Sequence, residues 1–391
     1  MKSFFEFNRN KIIAIMFIVI IFVISIVTFE KIGMKIISST NDKITEQTSA
    51  DLNVDRVNIS TESNLVFNKL DSIFRRLQMT KVIIEKIEQV FFNNIFLRGE
   101  FAGIDANLMF FLTKDIRSRQ VLLGEDNWLF YKSETDGNSI SDFQGVNYLA
   151  HNEMENIKKN LLETNSKLKN KGIQFVVMIP PNKELVYADK MPDSIKKIKE
   201  KNRTDVLVSY LKNNTDITII YPKQELCQLS KDYQLYYKYD THWNQLGAYI
   251  AEQQLLHFLG KERDYLERQF ISEHDLIQHE SASNGLANMI KMKWYFNNAK
   301  EYLVDKSTAI DNYGDTFYFN NDATYKKKIL FIGDSFRIAL IPHLTSDFSD
   351  VYVIHRKNYN NELFENINPD IIVLEYVERY SGQLSDFKML D

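Results

Sequence analysis

Cysteine is almost absent from this chain of 391 residues, which contains only Cys227. One cysteine cannot form an intrachain disulfide, so a small fold held together by disulfide bonds is excluded. The thiol is not part of a recognisable cysteine motif, and we interpret it as a small buried residue. The lack of disulfides does not by itself assign the protein to a cellular compartment.

The chain also has no large excess of positive or negative charge. The 48 Lys and Arg residues nearly balance 52 Asp and Glu residues, and the net charge is -4. No basic field therefore favours binding to nucleic acid. There is no HExxH motif and no paired Cys/His spacing, and His274 and His279 are poorly spaced as ligands, so the sequence predicts neither a metal site nor a cofactor.

The N-terminus contains the one long apolar run, residues 12–29, in which only Ser25 and Thr28 are polar. A run of about 18 residues is just long enough to cross a bilayer. Lys2, Arg9 and Lys11 precede it, which predicts that the N-terminus stays inside and the rest of the chain is exported. Since no A-x-A-like cleavage site follows, we expect an uncleaved signal anchor in a single-pass protein of the cell membrane.

Three regions are predicted along the chain. Residues 1–34 would form a cytoplasmic tail and the transmembrane helix. Residues 35–120 would form a stalk, beginning with a polar stretch that continues to about residue 66 and followed by amphipathic helices near residues 70–90 and 101–116. Residues 121–391 would form the main domain, opened by a hairpin in which two apolar runs flank Gly-Glu-Asp-Asn.

The main domain alternates short apolar runs with helical patterns. We predict helices at 151–171, 193–211, 245–259 and 336–344, and strands at 172–179, 216–221, 328–332, 351–354 and 370–377. Continuous apolar strands separated by helices are typical of an α/β fold with a doubly wound parallel sheet that is flanked by helices on both faces.

Ser335 is the first candidate for chemistry. A buried strand ends in Gly333-Asp334-Ser335, and a helical pattern follows at once. A serine there lies where open α/β sheets bind ligands, at a helix N-terminus whose N–H groups can stabilise an oxyanion. The alternative is that Ser335 only caps the helix.

A serine nucleophile needs a base and a group that orients the base. Asp240 and His242 are two residues apart, so in an extended segment their side chains point to the same side. Asp240 can then fix the imidazole tautomer, although an isolated pair of this kind is often purely structural. His355, at the end of a predicted strand, and His274, on a predicted loop, are alternative bases.

Two blocks together resemble a known family. They are residues 239–244 (YDTHWN) with 246–248 (LGA), and residues 331–336 (FIGDSF). Both resemble the signature blocks of the AlgX/AlgJ-like O-acetyltransferases, a branch of the SGNH hydrolase superfamily. Residues 124–131, the stretch 179–183 (IPPNK) with Tyr187, and residues 369–380 resemble further blocks in the same order.

This resemblance implies an SGNH-like fold with Ser335 as nucleophile, His242 as base and Asp240 as its orienting group. The remaining oxyanion and substrate-binding positions stay open. Asn288 is a candidate second oxyanion donor or a plain loop residue. Arg379 and Lys183 could bind substrate or have structural roles. Trp243, in the same block as the base, is a further candidate for contact with the substrate or the oxyanion.

The resemblance also implies a function: transfer of acetyl groups to hydroxyls of an exported polysaccharide, with a membrane-bound O-acyltransferase as the acetyl donor. The same residues could hydrolyse acetyl esters instead, and a non-catalytic scaffold that binds glycan in an export complex is the third possibility. The intact Asp240, His242 and Ser335 set argues against the scaffold.

Overall fold

The computed structural model describes residues 118–260, 276–281, 283–304 and 315–390, together with Phe110 and Ile116. The predicted membrane segment at 12–29 and nearly all of the predicted stalk lie outside these residues, so both stay predictions. Within the described ranges, no helix has the length and apolar character needed to span a bilayer.

The described residues contain ten strands. They are β1 (Val121–Leu123), β2 (Leu129–Tyr131), β3 (Gln174–Met178), β4 (Thr218–Ile220), β5 (Leu276–Glu280), β6 (Lys300–Val304), β7 (Thr316–Phe319), β8 (Tyr325–Gly333), β9 (Phe348–His355) and β10 (Ile371–Glu375). Six of them form the central sheet in the order β4-β3-β10-β8-β9-β7.

Nine α-helices are described in the same ranges. They are α1 (Ser139–Gln144), α2 (His151–Asn170), α3 (Lys183–Val186), α4 (Arg203–Asn214), α5 (Lys223–Leu229), α6 (Gln245–Phe258), α7 (Gly285–Met289), α8 (Ile341–Asp347) and α9 (Asn361–Ile367). Short 3-10 helices include Ser335–Leu340, directly after β8, and Glu378–Ser385, shortly after β10.

The central sheet confirms the predicted α/β fold, with one correction. Strands β4, β3, β10, β8 and β9 are parallel to their neighbours, but β7 pairs antiparallel with β9 at the edge. The sheet is therefore mixed. Antiparallel edge strands are common on otherwise parallel sheets, and residues 316–319 showed no long apolar run that would have marked them as a strand.

Both faces of the sheet are covered, as the continuous apolar strands predict. In β8, Ile329 and Phe331 point into one core, which also contains buried residues of α6 and α8. Leu330 and Ile332 point into the opposite core, with buried residues of α2, α4 and α9. All four side chains have no exposed surface, because successive residues of a central strand face opposite layers.

Two helices begin elsewhere than predicted. The helix expected at 193–211 starts only at Arg203, because Asn202 and Asp205 form a reciprocal cap that fixes the first turn. The helix expected at 336–344 is divided into the 3-10 helix Ser335–Leu340 and α8. Pro342 lies in the first turn of α8, where its missing N–H costs nothing.

The predicted hairpin is present as the antiparallel pair β1 and β2. It packs beside the segment that precedes the candidate base, since Leu129 N–H donates to the Lys238 carbonyl at 3.2 Å. A second antiparallel pair, β5 and β6, was not predicted.

Candidate active site

The turn after β8 places Ser335 at the carboxyl end of the sheet. Asp334 fixes this turn with both carboxylate oxygens: Oδ1 accepts the N–H of Phe336 at 3.0 Å, and Oδ2 accepts the N–H of Val377 at 2.9 Å. The end of β8 is thus tied to the segment that follows β10, the neighbouring strand in the sheet. Ser335 becomes the first residue of a 3-10 helix.

Gly333 lets the neighbouring strand end approach this turn. The N–H of Asp334 donates to Oε2 of Glu375 at 2.8 Å, and a Cβ on Gly333 would collide with the same carboxyl group. Glu375 is fully buried, and burial, with the nearby Asp334 charge, raises its pKa well above the usual range.

The structure brings Ser335, His242 and Asp240 together. The Oγ of Ser335 lies 2.7 Å from Nε2 of His242, and Nδ1 of His242 lies 2.6 Å from Oδ1 of Asp240. These distances suit the tautomer with its proton on Nδ1, which leaves Nε2 to accept the serine proton.

The environment of Asp240 favours its charged form. Burial alone would raise the pKa of this carboxyl, but the hydrogen bond and charge of His242, with hydrogen bonds from Gly285 and Ser283, hold it well below the usual range. Oδ2 accepts from Gly285 N at 2.8 Å and from Ser283 Oγ at 2.9 Å. A Cβ on Gly285 would collide with Oδ2, so a glycine is needed at this close approach.

Ser283 and Gly285 are site residues that sequence reasoning missed. They lie in the Ser-Asn-Gly stretch before and at the start of α7, about 45 positions after Asp240. Turn residues mark this stretch as a loop, but nothing in the sequence indicates which carboxylate it contacts.

Trp243 has a different place from the one predicted. Its side chain is fully buried, and Nε1 donates to the carbonyl of Phe336 at 2.9 Å. Trp243 therefore cannot offer its ring to a substrate. Because Trp243 directly follows His242 and Phe336 directly follows Ser335, this hydrogen bond joins the two segments that carry the candidate base and nucleophile.

For Lys183, the structure favours the structural role over substrate binding, the two roles that the sequence left open. Its side chain is only 2% exposed, and its Nζ donates to backbone carbonyls that include that of Asp240. An ammonium group in this position supports the backbone of the site and is not available to a substrate.

Arg379 lies beside the three residues, as its predicted position past the last strand implies. Its Nη1 is 3.4 Å from Oγ1 of Thr241, and its guanidinium carbon is 5.5 Å from the ring centre of Phe336. The side chain is largely buried, and the charges of Asp334 and nearby residues raise its pKa although burial opposes this.

The other candidates do not join the three residues. Asn288 is exposed on α7, and no described contact connects its side chain to Ser335. His355 ends β9 opposite Gly333, but its Nδ1 accepts the N–H of Lys357, within its own turn. His274 lies outside the described residues.

This arrangement can perform nucleophilic acyl chemistry. His242 can remove the proton from Ser335 while Asp240 stabilises the resulting imidazolium. Within the described part of the chain, no acceptor takes the backbone N–H of Ser335, and a free N–H at the start of a helical turn can donate to an oxyanion.

Comparison with solved structures gives matches of low identity. Bacillus cereus PatB1 is 18% identical with a TM-score of 0.48, covering 68% of this chain and 99% of its own. The O-acetyltransferase domain of Pseudomonas putida AlgJ is 18% identical with a TM-score of 0.42, covering 69% and 94%. Pseudomonas aeruginosa AlgX is 16% identical with a TM-score of 0.37, covering 68% and 66%. Comparison with curated proteins gives no match.

A family match covers the region that contains all three residues. Residues 121–348 match the family described as "SGNH hydrolase-like domain, acetyltransferase AlgX". The match includes β1 to α8 and spans more than half of the chain. The protein therefore belongs to the AlgX family of SGNH hydrolase-like acetyltransferases, which confirms the resemblance of its two signature blocks.

Proposed function

We propose that this protein is an O-acetyltransferase that moves acetyl groups onto hydroxyls of a polysaccharide outside the cytoplasm, through an acetyl ester on Ser335. The observation that carries the proposal is the continuous hydrogen-bonded series from Asp240 through His242 to Ser335, with distances of 2.6 and 2.7 Å. The acetyltransferase description of the family supports the choice of acyl group.

In the first half-reaction, Oγ of Ser335 attacks the acetyl carbonyl of the donor while His242 takes the serine proton. The N–H of Ser335 donates to the oxyanion of the tetrahedral intermediate. The bond from the acetyl carbon to the donor oxygen then breaks, the leaving oxygen takes the proton from His242, and an acetyl ester remains on Ser335.

The second half-reaction reverses these steps with a sugar. His242 removes the proton of the acceptor hydroxyl, and the sugar oxygen attacks the acetyl ester. The ester bond to Ser335 breaks, and Ser335 regains its proton from His242. If water enters instead of a sugar, the same site releases acetate and acts as an esterase.

The proposed location comes from the N-terminus, and the proposed partner comes from the resemblance to the family. Residues 12–29, preceded by Lys2, Arg9 and Lys11, predict a membrane anchor with the catalytic domain on the outer side. A cytoplasmic acetyl donor cannot reach such a site directly. The proposal therefore includes the partner that the family resemblance implies, a membrane-bound O-acyltransferase that delivers acetyl groups across the bilayer, and a polysaccharide that accepts them.

The test uses the full-length protein in detergent, a chromogenic acetyl ester as donor and a panel of glycans as acceptors. We expect ester turnover, one acetyl group on the peptide that contains Ser335, and acetylated glycan detected by mass spectrometry. Ser335→Ala should abolish all three. Ser349→Ala is the matched control, because Ser349 lies at the opposite end of the sheet, at the start of β9.

Two outcomes separate the alternatives. Ester turnover that yields only acetate with every acceptor would identify an esterase. If wild type and Ser335→Ala are equally inert toward the ester, and no acetyl group is found on Ser335, the enzyme proposal is wrong.

A further inference from the structure

Four backbone carbonyls converge on the ammonium group of Lys183. Its Nζ donates to the carbonyl oxygens of Leu129 and Tyr237 at 2.7 Å, and of Lys238 and Asp240 at 2.9 Å. Three of these carbonyls belong to the segment that leads into the candidate catalytic pair, and the fourth belongs to β2. Lys183 itself is the first residue of α3, just after β3.

The position is unusual for a lysine, because burying an ammonium group is costly unless it is fully hydrogen-bonded. Three N–H donors serve four acceptors here, and the rings of Trp128 and Phe130 lie 4.9 and 5.2 Å from Nζ. Burial lowers the pKa of Lys183 to about 7, with Asp240 and Glu184 opposing and Lys238 adding to this effect. A merely well-packed core would place an apolar side chain here.

The contacts connect three stretches that are distant in the sequence. The residues around Lys183, the hairpin residues 128–130 and the residues 237–240 meet at this one Nζ. Tyr237, Lys238 and Asp240 lie outside helices and strands, so no helix or sheet ladder fixes their carbonyls. The ammonium group is the one donor that these three carbonyls share. Backbone hydrogen bonds such as that from Leu129 N–H to the Lys238 carbonyl hold the segment as well.

We propose that Lys183 is a positioning residue that holds the Asp240–His242 segment at hydrogen-bonding distance from Ser335. The proposal rests on the function proposed above. Lys183 contacts no reacting atom. Its Nζ donates to the carbonyl of Asp240, while Ser283 and Gly285 donate to the carboxylate of the same residue. The backbone of Asp240 and its side chain are thus restrained separately.

The decisive variant is Lys183→Met, which keeps the shape of the side chain and removes all of its donors. Its matched control is Asn160→Leu. Asn160 lies on α2, which packs against the opposite face of the sheet. Its side-chain amide is buried and donates to the carbonyls of Leu384 and Phe387 at 2.8 and 2.7 Å. Both variants lose buried donors to backbone carbonyls, but only one lies near the catalytic segment.

Three readouts are taken on the full chain at a temperature where each variant is folded by circular dichroism. They are kcat and KM with the chromogenic acetyl ester, the rate at which a serine-directed sulfonyl fluoride labels Ser335, and the low-field Nδ1–H resonance of His242. For Lys183→Met we expect kcat and the labelling rate to fall about 10- to 100-fold, as a displacement of about 1 Å predicts. KM should change little, and the resonance should shift or broaden. Asn160→Leu should resemble wild type in all three.

Normal labelling and an unchanged His242 resonance in folded Lys183→Met would overturn the proposal. If Lys183→Met does not fold, Lys183→Gln replaces it, because a shorter side chain with two N–H donors cannot serve all four carbonyls. We then expect a smaller fall in kcat and in the labelling rate, and wild-type values of both would overturn the proposal. Labelling and the resonance require no acceptor sugar, so a failure of the acetyl-transfer proposal would appear separately, as normal labelling of wild type without any acetylated product.

Discussion

The indole Nε1 of Trp243 donates a hydrogen bond of 2.9 Å to the carbonyl of Phe336, across 93 positions of sequence. Trp243 follows the candidate base, and Phe336 follows the candidate nucleophile. This hydrogen bond joins the two backbone segments next to the contact of His242 with Ser335. The rings of Trp243 and Phe336 also pack edge to face, with their centroids 5.5 Å apart. Both rings are buried, so water does not compete for this contact.

Replacing Trp243 by Phe tests this link. The substitution keeps an aromatic ring but leaves the Phe336 carbonyl without its donor, which should lower the free energy of unfolding by about 1–3 kcal/mol. We expect kcat with the acetyl ester to fall about tenfold, because the distance between base and nucleophile is no longer fixed. Trp294→Phe, at a tryptophan that is 64% exposed, should leave both quantities unchanged. Full kcat in Trp243→Phe would show that the link is not needed for catalysis.

Gly285→Ala tests the close approach of α7 to Asp240. The added methyl group would collide with Oδ2, so the carboxylate must turn away from His242 or the loop must move. We expect kcat to fall about 100-fold with a small change in melting temperature, since the strain is local. Gly382→Ala is the control, because its new Cβ would meet only the flexible end of Leu149. A wild-type kcat in Gly285→Ala would contradict the assigned role of the loop.

Glu301 predicts a pH dependence of stability. Its side chain is buried in β6, and burial raises its pKa from 4.5 to about 7. The folded state therefore binds the proton more tightly than the unfolded state does, so this contribution to stability is complete below about pH 4 and is lost as pH rises to about 7.

Glu301→Gln removes this titration. We expect the variant to equal wild type near pH 4 and to exceed it at pH 8 by about 2–3 kcal/mol in the free energy of unfolding. Denaturant unfolding at the two pH values measures the difference. Glu280→Gln, at an exposed glutamate in the paired strand β5, should show no such change. Equal stability of Glu301→Gln and wild type at pH 8 would refute the expectation.

The sequence by itself determined the α/β alternation, the strand before Ser335 and the pairing of Asp240 with His242. These are local features: a buried strand needs a continuous apolar run, and two residues of an extended segment share a side. The two signature blocks added the family, and they singled out Ser335 and His242 as the candidate nucleophile and base. The predicted membrane anchor rests on local composition alone and remains a prediction.

Other features were decided only by tertiary structure. The order of the strands, the edge position of β7 and the meeting of residues 93 positions apart depend on which surfaces pack together, which no local pattern specifies. The structural roles of Lys183 and Trp243 became clear for the same reason. A polar side chain in a motif can contact a substrate, or it can donate to backbone carbonyls inside the protein. The burial of the side chain and its hydrogen-bond partners show which of the two it does.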